Sequence, residues 1–155
     1  MGALNNLKRR VITLFFIILM IISIYKIYPK KGSFNDLVLN KYSDTKFAHL
    51  FICNDDFKDC KDINKINEFL KYLKTIQLRE YRGKIPYVKN DYYYIGIYAK
   101  NSDNYLTIKL QGKDFIEVCI VTDKYKYIRK KYKIMNSGLN MKYIEDFYNK
   151  YCNYD

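Results

Sequence analysis

The chain has 155 residues, 49% of them apolar, with 28 Lys and Arg against 16 Asp and Glu and a formal net charge of +12. That length allows one domain, or one small domain with an appendage, and the apolar share excludes wholesale disorder. The basic surplus directs the surface toward anionic partners: nucleic acid, anionic lipid or acidic wall polymer.

Residues 1–10 form a basic tail ending in Lys8, Arg9 and Arg10. Val11 to Tyr25 then runs without a charge, 15 positions with only Thr13 and Ser23 among apolar residues and one tyrosine at its end. A helix this apolar on all sides offers no wet face to a soluble fold. The run spans roughly 22 Å, short of the roughly 30 Å of a bilayer core, and extension to Tyr28 with Lys26 snorkelling closes most of the gap. A signal peptidase needs small residues at the third and first positions before its cut. Ser23 is paired with Ile21 and Gly32 with Lys30, so neither site fits. Residues 11–28 therefore read as an uncleaved transmembrane signal anchor. Arg9, Arg10, Tyr25, Lys26 and Tyr28 would serve as interface anchors. A cleaved signal or a buried helix is the rival reading. With the N-terminus inside, residues 29–35 are a linker and 36–155 an extracytoplasmic domain.

Phe34 to Tyr42 and Phe47 to Cys53 read as short strands. "DINKINEFLKYLKTI" places Ile63, Ile66, Phe69, Leu70 and Leu73 at helical spacing, with Asp62 as a cap. Three alternating runs follow. Tyr93, Ile95, Ile97 and Ala99 share one face, then Leu106, Ile108 and Leu110, then Ile116, Val118 and Ile120. The polar breaks "KNSDN" and "QGKD" suit hairpin turns. This predicts a three-strand meander. "NMKYIEDFYNKY" closes the chain with a second amphipathic helix capped by Asn140. The fold class predicted is α+β: an N-terminal transmembrane helix, then a two-layer sandwich of an antiparallel meander sheet with two helices on one face.

The strongest local signal is "DKYKYIRKKYK", where basic residues alternate with tyrosines. As a strand it puts Ile128, Tyr132 and Ile134 on the apolar side, with Lys130 as an exception. Tyr127, Arg129, Lys131 and Lys133 fall on a wet basic side. Tyr127, Arg129, Lys130, Lys131 and Lys133 are thus candidates for contact with an anionic surface, although lysines also protect a sheet edge from aggregation. Outside the cell, lipid headgroups or wall polymer would be the partners and nucleic acid would not. In the cytoplasm nucleic acid returns, since tyrosines stack on bases.

Of four cysteines, Cys53 and Cys60 flank the polar loop "NDDFKD" and could close it with a disulfide. Four free thiols is the other reading. There is no Cys-x-x-Cys pair and a single histidine, His49, so a zinc site is not expected. Asp55, Asp56, Asp59 and Asp62 lack the order of a calcium loop and suit the start of a helix. No phosphate-binding glycine loop and no nucleophile elbow is present, so no cofactor and no catalytic residue is expected.

The pattern "KRRVITLFFIILMII", "INKINEFLKYL" and "YIEDFYNKY" resembles small single-helix membrane-anchored proteins of low-GC Gram-positive bacteria. The resemblance covers most of the chain. It implies no activity and transfers no functional residue. The expectation is a single-pass, membrane-anchored, non-enzymatic module that binds a protein or an anionic surface. The alternatives are a small immunity or accessory membrane protein acting through its helix, and a carboxylate-based enzyme.

Overall fold

A computed structural model describes residues 2–86, 88, 92–124 and 127–153, with the side chains of residues 9–23 within the first helix. Two compact units result, Met1–Lys30 and Lys31–Asp155. The first is helix α1, Gly2–Ile27. Its side chains from Val11 to Ile22 are exposed around the whole circumference, with Phe16 at 62% and Leu19 at 42%. Thr13 and Ser23 donate their hydroxyls to the carbonyls of Arg9 and Leu19, at 2.9 and 2.8 Å. Among the described residues no helix is long and apolar enough to cross a membrane. The stretch of α1 with described side chains, residues 9–23, covers only about 22 Å.

The second unit is α+β. Its strands are β1 (Lys31–Ser33), β2 (Phe47–Cys53), β3 (Phe57–Cys60), β4 (Gln77–Glu80), β5 (Tyr92–Ala99), β6 (Tyr105–Gln111), β7 (Phe115–Val121) and β8 (Ile128–Ile134). They form one antiparallel sheet in the order β1-β4-β8-β7-β6-β5-β2-β3. The helices are α2 (Phe34–Leu37), α3 (Ile63–Lys74) and α4 (Met141–Tyr151). The meander forms as β5-β6-β7, with Ile95 opposite Ile108 and Leu110 opposite Ile116. Its alternating residues, with Leu50, Ile52, Leu78 and Ile134 from neighbouring strands, share one core with Ile66, Phe69 and Leu73 of α3 and Ile144 and Phe147 of α4. Phe69 and Phe147 meet at 4.8 Å between ring centres.

Both long helices of this unit are capped as their sequences dictate. Asp62 accepts the N–H groups of Asn64 and Lys65, and Asn140 accepts that of Tyr143. Tyr72 ties the two together by accepting the Asn140 N–H at 3.0 Å.

The entry to this unit departs from expectation. Lys31–Ser33 pairs with β4 instead of hanging as a linker, and Phe34 is fully buried. Phe34–Tyr42 is α2 followed by a 3-10 turn at Leu39–Tyr42, not a strand. The cause is a reciprocal cap. Ser33 accepts the Asp36 N–H, and Asp36 accepts the Ser33 N–H and hydroxyl, which favours helical turns over extension. The same bonds hold the Asp36 carboxyl below its ordinary range. Of the four clustered aspartates, only Asp62 caps the following helix. Asp59 lies on β3, opposite Phe51 in register.

Candidate anion-binding surfaces

The face of the sheet turned away from α3 and α4 carries β8's wet side. Its five predicted contact residues part company there. Lys130 falls on the opposite face and donates to Glu80, which resolves its place as the exception in the apolar pattern. Arg129 donates to Glu117 at 2.7 Å, and that ion pair raises the guanidinium's pKa further. Lys131 reaches the Gly83 carbonyl at 3.4 Å. Tyr127 is exposed beside Cys119, whose thiol raises the pKa of the phenol. Lys133 is exposed and stands in register with Arg79 of β4, which stands in register with Lys31 of β1.

Lys31, Arg79 and Lys133 are therefore a row of cations across three adjacent strands, on one face, spaced by about 4.8 Å. Like charges directly opposite one another destabilise a sheet. Among the described residues none of the three is in an ion pair. Edge protection explains Lys31 on the outermost strand but not Arg79 or Lys133 on inner ones. Nothing in Lys31 or Arg79 alone marks them in the sequence, because the row exists only through the pairing of β1 with β4 and of β4 with β8.

Further along the same face lies a shelf of rings. Phe51 covers Gly96, and stacks with Phe57 at 4.9 Å and Tyr98 at 5.8 Å. A Cβ at Gly96 would sit 2.1 Å from the Phe51 ring, so only glycine admits that contact. His49 stacks on Tyr98 and bonds through Nε2 to Oδ1 of Asp59 at 2.8 Å. A carboxylate that orients an imidazole is half of a catalytic arrangement. Among the described residues no hydroxyl or thiol is hydrogen-bonded to the ring.

A second basic surface is concave. A groove of about 1020 Å³ lies between the 3-10 turn, the start of β2 and α3. Asn64, Asn67, Lys71 and Lys74 line one wall as a single helical stripe of α3, beside the core stripe of Ile66, Phe69 and Leu73. Lys46 and Lys100 enter from the other side, held together by the Lys100 N–H donating to the Lys46 carbonyl at 3.1 Å. Tyr42 fixes that rim. Its hydroxyl donates to the Tyr105 carbonyl and accepts the Val121 N–H, and burial drives its pKa strongly upward. Glu68, the acidic residue of the lining, is engaged by Lys65 at 2.8 Å. Asparagine amides and lysine ammoniums together suit a ligand bearing both hydroxyl and phosphate or carboxylate groups.

The cysteine pair expected from sequence is not brought together. On the β2-β3 hairpin Cys53 is opposite Phe57 and Cys60 is opposite Leu50, so they stand three residues apart along the ladder, roughly 10 Å. Cys60 lies in the core while Cys53 does not. A disulfide needs about 7 Å or less between Cα atoms, so the two cannot bridge without backbone movement. Among the described residues no group of His, Cys, Asp and Glu gathers as a metal site requires. Of the expected interface anchors, Arg9, Arg10 and Tyr28 are exposed, while the side chains of Tyr25 and Lys26 lie outside the described residues.

No family model, no curated protein and no solved structure matches the chain.

Proposed function

We propose that the chain is a membrane-attached binding module whose α+β unit rests on an anionic surface through Lys31, Arg79 and Lys133. The observation that carries this reading is the in-register row of three like charges, an arrangement that costs stability and is relieved by an anion lying across it. Residues 11–28 serve as the attachment, an uncleaved signal anchor with the α+β unit outside. Two features support insertion. The apolar circumference of α1 from Val11 to Ile22 is exposed, and the hydroxyls of Thr13 and Ser23 are satisfied by carbonyls one turn back, so neither requires water. The uncharged run is short for a span. Snorkelling of Lys26 and local thinning of the bilayer make up the difference. Lys31 lies three residues beyond this segment in the chain, which favours lipid headgroups as the anionic surface. The shared core of sheet, α3 and α4 supports the two-layer arrangement, which leaves the cationic row open to contact.

The groove favours a second reading. Its concavity and its asparagines suit an acidic, hydroxyl-bearing wall polymer better than a flat headgroup plane. Non-enzymatic action is part of the proposal in both cases.

Two experiments test it. In intact cells carrying a C-terminally tagged chain, external protease should remove the tag while a cytoplasmic marker survives. Protection until lysis would overturn the outward topology. Flotation of the full chain with vesicles should persist at high salt through α1. A chain lacking residues 2–28 should float only with anionic vesicles at low salt. Equal flotation of that shortened chain with neutral vesicles would remove the row from the mechanism.

A further inference from the structure

The chain brings one cysteine of the hairpin, Cys60, to a different partner, Cys152. The C-terminal residues cross β3: Asp59 and Asn153 exchange both backbone hydrogen bonds, each at 2.8 Å, as an antiparallel pair. The next pair along that crossing is Cys60 with Cys152. A pair that follows a doubly bonded one is non-hydrogen-bonded, the closer kind, with Cα atoms about 4.5 Å apart and side chains on the same face. Disulfides span about 4.4–6.8 Å between Cα atoms. Both residues are buried, at 1% and 3% exposure, in the same core. No competing partner is near. Cys53 is roughly 10 Å from Cys60 along the hairpin, and Cys119 on β7 is four strand spacings from Cys60 on β3, roughly 19 Å.

We propose that Cys60 and Cys152 are a disulfide site that locks the C-terminal end of α4 onto the edge strand β3. In the reaction one thiolate attacks a low-molecular-weight disulfide such as oxidised glutathione and releases one glutathione thiol. The second cysteine thiolate then displaces the other glutathione from the mixed disulfide. The protein loses two protons and two electrons, and the oxidant becomes two thiols. Burial pushes the Cys152 thiol up to about 12 and raises that of Cys60, so thiolate is scarce in the folded state. Exchange is therefore slow once the chain has folded, and the bond forms during folding or when the C-terminal residues lift. It closes a long loop and holds Asn153 in its pairing on the outer edge of β3. Such bonds persist in oxidising compartments.

The test uses the full chain in mild detergent, refolded in an oxidised and reduced glutathione buffer and digested without reduction. A linked pair of peptides carrying Cys60 and Cys152 is expected. The oxidised chain should melt about 10 °C or more above the reduced one, and Cys60→Ala/Cys152→Ala should show no such difference. Oxidation of the already folded chain should be slower than oxidation during refolding by roughly tenfold or more. Linkage of Cys53 to any partner in place of this pair would overturn the proposal. So would full alkylation of both thiols after oxidative refolding of a chain with native circular dichroism. Cys53→Ala/Cys119→Ala, which leaves the pair intact, should retain the melting shift. Its loss there would equally overturn the assignment.

Discussion

The two basic surfaces of the α+β unit are built on opposite principles. The row of Lys31, Arg79 and Lys133 is flat, and its charges face one another across strands held at sheet spacing. The groove is concave, and its lysines come from α3, from the turn before β2 and from the residue after β5. In the row, repulsion is fixed by backbone pairing and cannot be avoided by moving a strand. In the groove, long side chains on separate elements can splay apart in water. The row therefore stores a cost that an anion can relieve, whereas the groove offers shape and hydrogen-bonding groups with little stored cost. Equal local charge therefore need not mean equal function. The row is suited to a surface, and the groove to a segment of polymer.

That contrast can be broken by substitution. Replacing Lys46, Lys71, Lys74 and Lys100 together by Ser should weaken binding of polyphosphate at low salt by up to about 4 kcal/mol, at roughly 1 kcal/mol per cation. Melting should change little, since all four residues are exposed. Calorimetric titration of the full chain in detergent would check this, with flotation of the chain lacking residues 2–28 on anionic vesicles, free of detergent, as the contrast. Replacing Lys31, Arg79 and Lys133 by Ser should do the reverse. Vesicle binding of the chain without residues 2–28 should fall by about 3 kcal/mol while thermal stability rises slightly. A fall in stability would mean that the row is structural and that its repulsion is already balanced.

A smaller effect separates the core beneath both surfaces from the surfaces themselves. Tyr132 lies in the core, and burial, with the charge of Glu80 adding to it, raises its phenol from 10.0 to about 12. Burial raises the Tyr42 phenol as well. For an acid raised in the folded state, the folded chain binds more protons than the unfolded one between the two pKa values. Stability is then full below pH 10 and is lost as pH rises through about 12. Denaturant titrations at stepped pH should show a loss of about 1–2 kcal/mol over that window, reduced in Tyr132→Phe. Unchanged alkaline sensitivity in Tyr132→Phe would assign the loss to the other acids that burial raises, Tyr42 and Cys152 among them.

The sequence makes the meander, α3 and α4 legible because each depends on a local rule. Period-two alternation marks Ile95, Ile108 and Val118. Helical spacing and a single capping residue mark the two helices. What stays hidden depends on the partners chosen by the short strands. β3 and β4 have only four residues each, too few for an alternation signal, yet they place Glu80 against Lys130 and Asp59 against His49. The capping box at Ser33 and Asp36 is legible in the sequence, but the apolar residues between Phe34 and Tyr42 imitate a strand while the cap decides the structure. Half of the groove was readable too, since Asn64, Asn67, Lys71 and Lys74 recur at helical spacing. Lys46 and Lys100 are joined by one backbone hydrogen bond across a sequence gap that carries no mark. The basic run before Ile134 hides the pairing of Arg129 with Glu117 and of Lys130 with Glu80 for the same reason, because those carboxylates lie outside it in the chain.

Neutralisation gives the smallest and most direct test of the comparison. Arg129 lies on the same face as Lys133, but Glu117 engages it. Glu117→Gln keeps the shape and an acceptor oxygen for the guanidinium while removing one negative charge. Arg129 is more than half exposed while Glu117 is buried, so the pair is only partly screened by water, and melting should shift by about 1 kcal/mol in equivalent free energy. Vesicle binding by the chain without residues 2–28 should instead strengthen by up to about fivefold at low ionic strength. That gain should vanish as salt screens the face. A gain confined to anionic vesicles would extend the cationic row along β8 and show that Glu117 is what silences this end of the run. If binding does not change, Arg129 is held away from the surface by its position, and pairing with a carboxylate is then not what distinguishes it from Lys133.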